Sequence, residues 1–376
     1  MEFLNLMEKW NGYTPVREKR LSEAKIASFV SLVTNEKGMP SHQWEYLLKE
    51  VVTTSDFPDL LGFVIDREIL TKYRAAVADW KPYFKIGKLA NFNTVRRHKV
   101  QGADDRLDEV AEKGEYLVTP MSDCYYSYNL KKYGKQFDIS WESIINDIMN
   151  AFGDIGDRFA TSVIRSEAFK ATGTYAAATG PHTSLFGATI TDSCDSQAIT
   201  NLGSLALSIT NLQTTEALMA SQTDVNGEPI LARGVHLVVP PALEYTARAI
   251  LTSSMEMWTQ VAAGGALPYP MTNVTPQMGL KLHVDPYLPI IDVSGDVDTT
   301  WYLFAEPSQG AAMEFGYLRG HESPEICMHG SDKVSVAGGA ISPFAGDFAT
   351  DNILYRVRQC MGSVQLDPRF AYAQVG

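Results

Sequence analysis

The 376-residue chain is poor in several features, and each shortage closes a class of function. No apolar run approaches the roughly 20 residues that cross a bilayer. The opening "MEFLNLMEKWNGYTPVREKR" lacks the basic and apolar segments of a secretory signal, so folding in a cytoplasm and no membrane partner are expected. Its cysteines, Cys124, Cys194, Cys327 and Cys360, are scattered and form no C-x-x-C pair. That spacing predicts reduced, buried thiols rather than disulfides or zinc ligands. Basic residues are scarce beyond residue 170: positions 171–376 hold 8 Lys and Arg against 19 Asp and Glu, whereas 1–170 hold 24 against 25. Nearly all of the net charge of −12 therefore falls in the second part. Such a chain is repelled by nucleic acid over most of its surface, which argues against a dedicated nucleic-acid reader.

Reactive motifs are missing too. There is no G-x-G-x-x-G or Walker loop, no G-x-S-x-G elbow and no H-E-x-x-H. "HGSDK" at 329–333 sets His, Ser and Asp side by side, but a triad needs a three-dimensional arrangement that adjacent residues rarely supply. His321, Cys327 and His329 form a cluster without recognised metal spacing, and a small metal-dependent or hydrolytic enzyme is the weakest of the alternatives. Asp147, Asp154 and Asp157 read as a solvated helix face. "VRRHKV" at 95–100 is basic, but "ADDRLDE" follows and cancels it, so a salt-bridged hairpin edge is expected there. No enzyme, cofactor or metal is predicted.

The residues that are present describe organised structure. "SEAKIASFVSLV" and "SHQWEYLLKEVV" are capped by Ser22 and Ser41 and predict helical pieces in an arm over 1–55. From Lys85 to Phe137 the pattern is strand-like and very polar. Cys124, Tyr126, Tyr128 and Leu130 alternate with Tyr125 and Ser127, which predicts two strands of a hairpin projecting from the body. A two-stranded hairpin is marginal alone in water and needs a surface to lie against. Ser140 then caps a helix with Trp141, Ile144, Ile145, Ile148, Phe152, Ile155, Phe159 and Val163 on one stripe, continuing to Phe169. Gly153 and Gly156 in its middle predict a bend or break. A Gly-rich loop is expected over 171–193, helices over 198–222 and 241–261, short strands from about Gly279, and two terminal strands either side of Gly362. The mixture predicts an α+β fold.

Three segments carry a resemblance: "EVAEKGEY" (109–116), "YGKQFDIS" (133–140) and "IINDIMNAF" (144–152). With "LFGATI", "LMASQTDVNGEPILARGVHLVVPPALEYTARAIL" and "VRQCMGSVQLDPRF" in the same order, residues 55–376 resemble tailed-bacteriophage major capsid proteins, particularly the Mu-like major head group. The resemblance implies the HK-ninety-seven capsid fold: an N-terminal arm at 1–55, a peripheral domain at 56–90, 138–204 and 346–376, an extended hairpin loop at 91–137 and an axial domain at 205–345. It implies subunit contacts through the hairpin at Arg96, Arg97, Asp108, Glu109, Glu112, Glu115, Tyr126, Tyr128, Lys131 and Lys132, with Gly153 and Gly156 as a hinge in the spine helix. The implied partners are other copies in hexamers and pentamers, a portal, scaffolding, protease or cement proteins, and weakly held packaged DNA. The implied location is a virion capsid assembled in the host bacterial cytoplasm. A nanocompartment shell of the encapsulin type, filled with protein cargo, is the alternative.

Overall fold

The computed structural model describes residues 70–76, 78–102, 106–107, 109–116, 118, 121–140, 149–191, 197–262, 265–336 and 346–376. The expected arm at 1–55, Asp108, and the predicted helix start from Trp141 to Ile148 lie outside them.

The chain is built round one long strand. β1 (Lys85–Leu89), β2 (Val95–Gln101), β3 (Ser122–Tyr128) and β4 (Lys131–Ser140) precede the spine helix α1 (Met149–Tyr175). After β5 (Leu202–Gly203) and α2 (Ile209–Ala220) come β6 (Gly234–Val239), α3 (Glu244–Thr252), β7 (Met255–Ala262) and β8 (Gly265–Thr272). The remainder is β9 (Lys281–Val284), β10 (Trp301–Ala305), β11 (Met313–Leu318), β12 (Glu325–Met328), β13 (Asn352–Gln365) and β14 (Ala371–Gln374).

β13 pairs with β4 along one edge, from Asn352↔Ser140 to Met361↔Lys131. Its other edge takes β12 and then β11, and β1 adds in parallel to β11. The second five-stranded sheet runs β9–β6–β10–β14–β5. Strand pairing thus crosses the expected segment boundaries. β11 and β12, expected with 205–345, pair with β13 in the sheet that also holds β4, while β14, expected with 346–376, sits beside β10.

α1 is 27 residues, about 40 Å at 1.5 Å per residue. Its helical backbone runs through Gly153 and Gly156 without a break. Phe159, Ala160 and Val163 pack on Ile353, Tyr355 and Val357, the alternate residues of β13 that face it. The helix ends six residues past Phe169, in a stretch whose small residues had predicted a loop. Tertiary bonds override that weak propensity. The Thr172 and Tyr175 hydroxyls each donate to the buried Asp285 carboxylate at 2.5 Å, and Ala171 and Tyr175 are fully buried. Burial raises the Asp285 pKa, and these two hydroxyls and the Tyr287 N–H oppose the shift.

Three other sequence expectations give way to specific contacts. The helix expected over 198–222 begins only at Ile209, where the Ser208 hydroxyl accepts from the Asn211 N–H. Gly203 is needed upstream because a Cβ there would meet the Gln374 side chain at 2.3 Å. The helix expected over 241–261 stops at Thr252. Asn273 is the cause: its buried amide donates to the Ile250 and Ser253 carbonyls at 2.8 and 3.0 Å and occupies the groups a further turn needs. The following residues form the β7–β8 hairpin instead. At the chain's end, β13 passes straight through Gly362, whose missing side chain leaves room for the Asn129 carbonyl.

The main core joins both sheets to the C-terminal end of α1 through aromatic side chains. Tyr83 stacks on Phe304 with centroids 5.3 Å apart, and Tyr175 meets Tyr302 and Phe304 edge-on. At the rim of this core, His236 Nδ1 lies 2.9 Å from His283 Nε2, and Glu306 lies 3.0 Å from the other His236 nitrogen. One ring of the pair must donate and the other accept, so protonating both breaks the bond. Burial lowers both imidazoles, and the neighbouring His236 helps to hold His283 at about 4. The unfolded chain, with ordinary imidazoles near 6.5, therefore binds more protons below that value. Stability is complete above about pH 6.5 and declines toward pH 4. Thermal melts should give a lower Tm at pH 5 than at pH 7.5, with a shallower dependence in His283→Gln; an unchanged dependence in the variant removes the pair from this role.

Candidate functional site

β2 and β3 form a sheet of their own, in register from Val95↔Tyr128 to Gln101↔Ser122. The alternation expected of β3 is present: Tyr126, Tyr128 and Leu130 are buried, while Tyr125 and Ser127 face outward. The outward face carries Arg96, whose guanidinium lies 4.4 Å from the Tyr125 ring centroid. Beyond Gln101 the tip exposes Leu107, Tyr116 and Val118 at 99%, 81% and 93%, with Glu109, Glu112 and Glu115 around them.

The hairpin is held by its own body. Glu314, fully buried in β11, accepts from Arg97 Nε and Nη2 at 2.8 and 2.5 Å and from the Tyr128 hydroxyl at 2.6 Å. The carboxylate bond raises the Arg97 pKa against the opposing effect of burial, while burial and then Glu314 raise that of Tyr128. Two glycines make the space. A Cβ on Gly87 would lie 2.2 Å from Glu314 Oε1, and one on Gly316 would lie 2.6 Å from the Tyr128 hydroxyl. Further along, Lys99 pairs with Asp367 at 2.6 Å and Arg106 with Glu228 at 2.5 Å.

This placement revises the expected hairpin. Arg97 and Tyr128 serve the anchorage within the chain and Tyr126 is buried, whereas Arg96, Glu109, Glu112 and Glu115 lie on open surface. Lys131 and Lys132 begin β4, a body strand bonded to β13, so the two-stranded hairpin closes at Tyr128 rather than at 137. Within the basic run at 95–100, Arg97 and Lys99 pair with the distant acids Glu314 and Asp367, and His98 with Asp123 across the hairpin. Sequence reading missed Glu314, Asp367 and Glu228. One signal was available: a lone Glu inside the apolar strand "AAMEFGYL" requires a buried cation.

One of the described cysteines departs from the expectation of reduced thiols. Cys124, on the inward face of β3, is disulfide-bonded, whereas Cys327 and Cys360 are free thiols. Folding sets the pairing by distance in space, which wide separation along the chain does not reveal. His321 bonds to Glu325, and among the described residues no group of three His, Cys, Asp or Glu could hold a metal ion. Among the described residues, too, no helix is long and apolar enough to cross a membrane.

Residues 125–374 match the family model described as phage capsid protein. The chain belongs to the phage capsid protein family. Its fold is the HK-ninety-seven capsid fold. The mature capsid of bacteriophage PhiM1 is similar at a TM-score of 0.50 and 7% identity, covering 80% of this chain and 87% of that one. The Gordonia phage Cozz structure matches at 0.44 and 13%, covering 79% and 86%. The holo-SrpI encapsulin complex from Synechococcus elongatus PCC 7942 matches at 0.46 and 11%, covering 80% and 88%. No curated protein matches. The family match decides between virus and nanocompartment: this phage capsid protein is a structural subunit of a virion shell.

Proposed function

We propose that this capsid protein assembles as hexamers and pentamers of a closed icosahedral shell around double-stranded DNA, inside the host bacterium. In that shell the β2–β3 hairpin lies across a neighbouring copy. The observation that carries this reading is the hairpin itself: two strands with no third among the described residues, fixed at the root by buried charge and ending in three nearly fully exposed apolar residues. A fixed root and an apolar tip suit a lever whose stabilising contacts belong to another molecule. Each contact is modest, and a closed lattice of many copies sums them into a stable particle. Arg96, Glu109, Glu112 and Glu115 set register and oppose wrong docking through charge.

The test is to replace residues 103–120 with a short Gly-Ser turn, leaving Arg97, Lys99 and Tyr128 in place. The shortened chain should keep its circular dichroism spectrum and melt within about 2 °C of the parent, since the described residues of the segment are mostly exposed and the Arg106–Glu228 pair it loses has an 89% exposed Arg, a kind of contact worth little. Electron microscopy should show closed shells for the parent and none for the variant. Normal shells from the variant would remove the hairpin tip from assembly.

A further inference from the structure

A groove of about 1110 Å³ runs between α1 and β4, away from the hairpin anchorage. Lys135 from β4 and Arg158, Arg165 and Lys170 from α1 line it, and Lys131 stands close enough to lower the pKa of Lys170. Among the described residues the one acid in the lining, Asp157, is paired with Lys72. Among the described residues, Lys131, Lys135, Arg165 and Lys170 have no carboxylate partner. Four cations are thus gathered without a carboxylate partner among the described residues, on a chain whose net charge is −12. The crowding registers elsewhere: burial first and Lys131 second depress Lys170, and burial and then Lys170 depress His182. An anion in the groove would offset the charge contribution to both, though not that of burial.

We propose that this groove seats the phosphate backbone of DNA held inside the shell. The proposal rests on the shell reading above and adds the surface through which the subunit touches its cargo. The lining is of the kind that phosphate contacts use, with the hydroxyls of Thr161, Ser162 and Tyr287 set among Arg and Lys. From Arg158 to Lys170 the helix rises about 18 Å, the axial length of roughly five phosphates on one strand. The competing occupant is the acidic hairpin tip of a second copy. That tip would also have to cover Leu107, Tyr116 and Val118, and the groove offers it one exposed large apolar side chain, Phe169. The charge therefore fits either partner, and the lining favours phosphate. Contact is weak and strongly salt-dependent, because a few local cations work against an acidic whole.

The experiment is fluorescence anisotropy of a 20-base-pair duplex with the purified full-length chain from 25 to 200 mM NaCl. Log affinity should fall linearly with log salt at a slope of about −4, as expected when four or five phosphates are neutralised. Arg165→Gln with Lys170→Gln should reduce that slope by about 2 and weaken binding at least about tenfold at 50 mM salt, with an unchanged circular dichroism spectrum. Lys85→Gln with Lys113→Gln, outside the groove, should leave both unchanged. No binding at 25 mM salt, or equal losses in the two double variants, overturns the proposal. So does displacement of the duplex by a peptide of residues 103–120 that binds more tightly, which hands the groove to a second copy. Electron microscopy of the same samples separates the two readings: shells without DNA affinity overturn only the groove, and an absence of shells overturns the assembly reading.

Discussion

Arg97→Ala should lower the Tm of this protein by about 10 °C and abolish shell formation. The carboxylate it abandons is fully buried, and one oxygen of Glu314 already has no hydrogen-bond partner. Removing one member of a buried ion pair costs about 3–5 kcal/mol, because the other charge stays in a poorly solvating interior. Arg97 is itself about one-third exposed, at 34%, so the lower end of that range applies. Near 3 kcal/mol, at roughly 2–4 °C per kcal/mol for domains of this order of size, the expected shift follows. A second variant separates stability from direction. Arg97→Met with Glu314→Leu replaces the pair by apolar groups of similar volume, which often restores stability. It should melt near the parent yet assemble poorly, since a greasy contact has no preferred angle where a two-pronged ion pair has one. If Arg97→Ala melts within about 2 °C of the parent, the anchor does not hold the hairpin.

Phe304→Ala should cost about 3–5 kcal/mol, the usual toll for emptying a buried aromatic site. Phe304 has no exposed surface, stacks on Tyr83 and meets Tyr175 at 5.4 Å, so the cavity would open where both sheets and α1 converge. Phe304→Leu should lose markedly less, since it keeps most of the volume. Tyr245→Ala is the comparison at the surface: that ring is 90% exposed, and its loss should fall within about 0.5 kcal/mol of zero. Urea denaturation of the three variants would measure the order. Equal midpoints for Phe304→Ala and Tyr245→Ala would show that the aromatic cluster is not the core.

Much of the body was legible from local pattern. The period-two run from Cys124 to Leu130 and the stripe ending in Phe159 and Val163 follow from one-sided burial, which repeats along strands and helices at fixed spacing. Strands such as Trp301–Ala305 and Met313–Leu318 are short apolar runs between turns and were equally readable. Element ends were not. Asn273 halts a helix twenty-one residues upstream, and Asp285 extends another by binding its last turn from across the molecule. Neither effect leaves a mark in the sequence near the boundary it sets.

By itself the sequence determined that this is an α+β shell subunit with a polar hairpin and a striped spine, because periodic burial and family motifs are properties of neighbouring residues. Tertiary structure alone decided where the hairpin closes, which acids hold it and how the basic groove gathers its charge. The physical reason is distance: Arg97 meets Glu314 across 217 positions and Lys99 meets Asp367 across 268. An ion pair is a statement about separation in space, and only folding turns separation along the chain into separation in space.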